Sequence, residues 1–81
     1  ARSMEDLLKR ITFNKAVLGG KPLIRDLRIS VEMIVELLAK GATPQEILED
    51  FPELDPVDIQ AALFYAYQML SSETIYERIA A

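Results

Sequence analysis

Two different periods of apolar residues divide the chain. Up to Ser30, apolar and polar positions alternate over residues 10–14 and again over residues 21–30, a period of two that is typical of strands. After Ser30, apolar residues recur about every 3.6 positions, which predicts helices. The sequence therefore predicts an α+β, mainly α fold, in which a short N-terminal β element precedes three or four helices.

Capping signals give the limits of these helices. A serine, a threonine–proline pair and an aspartate–proline pair each stand before an apolar stretch, where N-cap and first-turn residues belong. They predict helices over residues 31–40, 44–51 and 56–70. Thr43 and Glu46 also have the spacing of a capping box.

The length of 81 residues allows one small domain. We expect an N-terminal extension over residues 1–10, a single helix-turn-helix-like domain over 11–70 and a C-terminal segment over 71–81. Residues 1–3 precede Met4, a candidate natural start, and are typical of an expression remnant. The C-terminal segment has the signals of one more helix, capped by Ser72.

Composition argues against most catalytic and metal chemistry. The chain has no Cys and no His, so disulfides, thiolate metal sites and His-dependent nucleophiles are ruled out. Gly19–Lys21 does not continue as a P-loop, because Pro22 stands where Ser or Thr is required. No apolar run approaches the roughly 20 residues that cross a membrane. We expect a cytoplasmic, non-catalytic protein without cofactor, metal or membrane contact.

The spacing of the three helices matches a helix-turn-helix unit, whose third helix would enter the major groove of DNA. At the start of that helix, Gln60 is an amide that can pair with a base edge. Asp55 and Asp58 would instead face phosphates with the wrong sign of charge. The sequence therefore supports the helix-turn-helix fold, but the start of its third helix lacks the basic residues that usually contact DNA.

The third helix is apolar on two faces, which indicates a central or interfacial helix. Its expected core stripe consists of Ile59, Ala62, Leu63, Ala66 and Leu70. The candidate dimer or partner interface consists of Met33, Leu37, Val57, Ala61, Phe64, Tyr67 and Gln68. A chain this short has few residues of its own to cover both faces, so we favour a homodimer over coverage by the N-terminal strands or the C-terminal segment.

Four motifs between Ile11 and Ala66 resemble those of the bacterial and archaeal domain-of-unknown-function family 433. They are GGKPLI at Gly19–Ile24, RDLRISV at Arg25–Val31, LLAKG at Leu37–Gly41 and the P-L---DI-AAL-YA pattern at Pro52–Ala66. The family usually has Gly-Thr between the two arginines, where this chain has Asp26 and Leu27.

The resemblance implies a helix-turn-helix-like trihelical core with a small β element, often dimeric. It also implies an antitoxin-like protein that binds duplex DNA and is paired with a PIN-like ribonuclease toxin. In that reading, the basic cluster of Lys21, Arg25 and Arg28 contacts phosphates. Residues 1–28 carry a net charge of +4 and residues 29–81 carry −8, a division that favours this reading.

Two functional hypotheses remain at this point. The first is a dimeric DNA-associated protein of antitoxin type. The second is a protein-interaction module with a helix-turn-helix shape that does not bind DNA. In the second, Arg25 and Arg28 would form ion pairs with Asp26 or with glutamates of the first helix.

Overall fold

In chain order, a short N-terminal helix is followed by a small antiparallel sheet and then by three further helices, giving an α+β, mainly α fold. The computed structural model describes the backbone of residues 3–80 and the side chains of residues 3–71. In chain order the elements are α1 (Met4–Leu8), β1 (Ile11–Thr12), a 3₁₀ turn (Leu18–Gly20), β2 (Leu23–Ile24), α2 (Val31–Ala39), α3 (Pro44–Asp50) and α4 (Pro56–Ala80).

The strands are shorter than the alternating pattern predicts. β1 pairs with β2 in the register Ile11 to Ile24. The extended stretch predicted over residues 21–30 is instead a tight hairpin. Arg25 and Asp26 adopt left-handed backbone angles (φ 47° and 62°), and the Leu27 N–H donates to the Ile24 carbonyl at 2.8 Å. The chain reverses there, so that the Ile24 N–H also donates to the Ile29 carbonyl.

The predicted helix starts are confirmed. The Ser30 side chain accepts a hydrogen bond from the Met33 N–H at the start of α2. At the start of α3, Thr43 and Glu46 form both hydrogen bonds of the capping box. Each bond satisfies an N–H group that has no partner within its own helix.

The two ends of the chain differ from expectation. The predicted extension contains α1, whose Leu7 is buried in the core. α4 has 25 residues and continues past Leu70, where we expected an end and a new cap. The Ser72 side chain of that expected cap lies outside the described residues. Despite the length of α4, no helix in the described part of the chain is apolar enough over a sufficient length to cross a membrane.

The core consists of buried aliphatic side chains from α1, the sheet, α2, α3, the first turns of α4, and the loops that precede α2 and α4. Its members are Leu7, Ile11, Ile24, Ile29, Val31, Ile34, Ile47, Leu54, Ile59, Ala61 and Ala62. The expected core stripe of α4 is partly wrong, because Leu63 is 45% exposed and Leu70 64% exposed. The helix is rotated so that Asp58 and Ala61, both fully buried, face inward instead.

Candidate functional site

The first turn of α4 holds a carboxylate that is shielded from solvent. The Asp58 side chain is 0% exposed, and four donor groups surround it. Oδ1 accepts from Arg10 Nη1 at 2.8 Å, and Oδ2 accepts from Arg25 Nη2 at 2.7 Å. The Asp55 N–H donates to Oδ2 at 2.8 Å. The buried charge is therefore balanced by two guanidinium groups, as burial of an ion requires.

The sheet brings these two arginines together. Arg10 precedes β1 and Arg25 follows β2, and the antiparallel pairing places them side by side, with the Arg25 N–H donating to the Arg10 carbonyl at 2.9 Å. Both side chains then reach the start of α4. Arg25 Nη2 also donates to the Glu53 carbonyl at 2.8 Å. We call Arg10, Arg25 and Asp58 the arginine–aspartate cluster, which joins the sheet to α4 and the loop before it.

Electrostatics give the cluster a structural role. Burial of the Asp58 carboxylate acts to raise its pKa, but hydrogen bonds from Arg25, the Asp55 amide and Arg10 outweigh it and lower the pKa to about 2. Hydrogen bonds to the same carboxylate raise the pKa of Arg10 and of Arg25. The carboxylate therefore remains ionised near neutral pH, and both of its oxygens accept hydrogen bonds from groups of the same chain.

The structure does not bring the predicted phosphate contacts together. Arg25 forms an ion pair with the buried Asp58, and Lys21 Nζ forms an ion pair with Glu32 Oε1 on α2 at 2.7 Å. Arg28 is exposed and has no acidic partner among the side chains of residues 3–71. Gln60 is exposed on α4. Of the three cations, Arg28 alone therefore presents an unpaired charge within that part of the chain.

The start of α4 also presents few side chains that could contact base edges in the major groove of DNA. Asp58 and Ala61 are fully buried, and Val57 is half-buried. Asp58 therefore does not face outward, as we expected for a recognition helix, because Arg10 and Arg25 cover it. Sequence reasoning missed Arg10 and the inward direction of Asp58. The available signal was the position of Asp58 three residues after the helix cap, between two apolar residues.

The predicted interface residues do not form one surface. Four of them are half-buried and pack against the core of the same chain, namely Met33, Leu37, Val57 and Phe64. Ala61 is fully buried and has no surface to offer a partner. Tyr67 is 62% exposed, and Gln68 is exposed. The residues that we assigned to the second face of the helix are therefore covered largely from within the chain.

The exposed apolar surface of α4 shares Tyr67 with the predicted interface but adds two leucines that we had placed in the core. Leu63, Tyr67 and Leu70 are spaced at i, i+4 and i+7, so they share one face of the helix, and all three are exposed. We call them the α4 ridge. Beside it lies an open, mainly apolar groove between α2 and α4, of about 350 Å³. This α2–α4 groove is lined by Pro22, Val31, Glu32, Val35, Tyr65, Ala66, Met69 and Leu70.

Comparisons with known proteins agree with this architecture. The profile of a family described as "Protein of unknown function (DUF433)" matches residues 11–66. The chain is 34% identical over 56 residues to the uncharacterized protein y4eO of Sinorhizobium fredii (strain NBRC 101917 / NGR234), a match that covers 69% of this chain and 25% of that protein. The chain thus spans about a quarter of the length of that relative.

A solved structure is similar over nearly the whole chain. It is the crystal structure of a DUF433 member protein from Anabaena variabilis ATCC 29413, with a TM-score of 0.73 and 34% sequence identity. The similarity covers 95% of this chain and 74% of that one.

Proposed function

This chain belongs to the DUF433 family, whose function is unknown, and we propose that it is a non-catalytic protein-interaction module that binds its partner through the α4 ridge. The observation that carries the proposal is the exposure of Leu63, Tyr67 and Leu70 on one face of a helix. Single exposed apolar residues are ordinary on protein surfaces, whereas a contiguous row is typical of a binding site.

The internal ion pairs favour this function over DNA association. Phosphate contacts supply most of the affinity of proteins for DNA, and they require cations that are free to replace counterions. Arg25 and Lys21 already have carboxylate partners within the chain. The surface of α3 adds repulsion, because Glu46, Glu49 and Asp50 are all exposed there.

Site-specific photo-cross-linking in living cells tests the interaction function. A benzophenone amino acid at position 63 should yield a covalent adduct with a defined protein, and mass spectrometry of the adduct identifies that protein. The same probe at exposed Gln45 on α3 is the matched control and should yield none. The Leu70→Glu substitution should abolish the adduct from position 63. Absence of any adduct from position 63 would contradict the proposal.

Duplex-DNA association, as in an antitoxin, is a second candidate function. It is favoured by Arg28 and Lys15, two exposed cations that have no acidic partner among the described side chains. A PIN-like toxin would then be one occupant of the α4 ridge, and cross-linking from position 63 would identify it.

Fluorescence anisotropy over a salt series tests this second candidate. If Arg28 and Lys15 each supply one phosphate contact in each of two subunits, the log–log salt slope should be roughly −4. Arg28→Ala should then remove about half of the slope, and Lys40→Ala, which removes a cation paired with Glu36, should leave it unchanged. No binding at about 50 mM salt would exclude the DNA-associated function.

A further inference from the structure

We draw no further inference here: the strongest candidate, the open apolar groove between α2 and α4 beside the α4 ridge, carries none because nothing in the part of the chain that the structure describes shows what covers it.

Discussion

At the scale of single residues, two aspartates occupy positions that usually hold other residue types, one in the buried core and one at a positive φ angle. Asp58 is a charged residue in the core, stabilised there by Arg10 and Arg25. Asp26 has a left-handed backbone conformation, which glycine adopts most readily. Asp is among the few non-glycine residues that tolerate this conformation, and the Asp26 N–H gains a hydrogen bond to Thr12 Oγ1 at 2.8 Å. The hairpin therefore persists without glycine.

Substitution of Asp26 tests the backbone requirement of the hairpin. Asp26→Gly should retain the fold and raise the free energy of unfolding by up to about 1 kcal/mol, because glycine adopts positive φ without steric cost. The gain is limited because glycine loses more conformational freedom on folding. Asp26→Ala should lower it by about 1 kcal/mol. Urea denaturation measures both. A more stable alanine variant than glycine variant would contradict the left-handed assignment.

Asp58 makes the free energy of unfolding decrease as the pH falls into the acidic range. Its pKa is lowered from 3.8 to about 2 in the folded state, so its stabilising effect is fully present above about pH 4 and is lost as the pH falls toward 2. Asp58→Asn should cost about 3 kcal/mol at neutral pH and flatten the pH dependence between pH 4 and 2. Exposed Asp55→Asn is the control and should change little. Urea midpoints measured across this pH range decide the matter.

At the scale of secondary-structure elements, local hydrogen bonds account for where the helices begin. Thr43 and Glu46 satisfy each other's N–H groups, and the resulting hydrogen bond from the Thr43 amide lowers the pKa of Glu46. These contacts depend only on residues three apart, so sequence alone identifies them. The rotation of α4 depends instead on contacts with distant residues.

Thr43→Ala should lower the free energy of unfolding by about 1 kcal/mol, because it leaves the Glu46 N–H without its side-chain acceptor. Gln45→Ala, at an exposed position of the same turn, should have an effect near zero. Chemical denaturation of the two variants beside wild type provides the measurement. Equal stability of the Thr43→Ala variant and wild type would mean that the capping box contributes nothing in solution.

At the scale of the whole molecule, the N-terminal helix is part of the folded unit. α1 packs against α4, and Leu7 lies in the same core as Ile34 and Ile59. Short chains bury a small fraction of their surface, so each core side chain matters more than in a large domain. The segment that the sequence presents as an extension therefore contributes to global stability.

Leu7→Ala should lower the free energy of unfolding by about 3 kcal/mol, the usual cost of truncating a buried leucine. Unfolding should remain a single cooperative transition. Leu8→Ala, at the half-buried neighbour, should cost clearly less. Circular dichroism during denaturation measures both. A Leu7→Ala variant as stable as wild type would show that α1 is not part of the cooperative unit.

The sequence predicts those features that depend on neighbouring residues. Helix starts at Ser30 and Thr43 and the fold class follow from capping and periodicity. It does not predict the arginine–aspartate cluster, because Arg10 and Asp58 are 48 residues apart and charged residues are rarely buried. Without the cluster, Asp58 is expected on the solvent side of α4. That orientation turns Leu63 and Leu70 toward the core, whereas both are exposed in the structure.

The arginine–aspartate cluster also bears on folding kinetics. Its ion pairs join residues 48 and 33 positions apart, so they require closure of long loops, whereas α2 and α3 form through near neighbours. We expect the cluster to form after the rate-limiting barrier. Asp58→Asn should then accelerate unfolding and leave the refolding rate nearly unchanged in stopped-flow experiments. The buried carboxylate would slow unfolding and thereby determine the lifetime of the folded state.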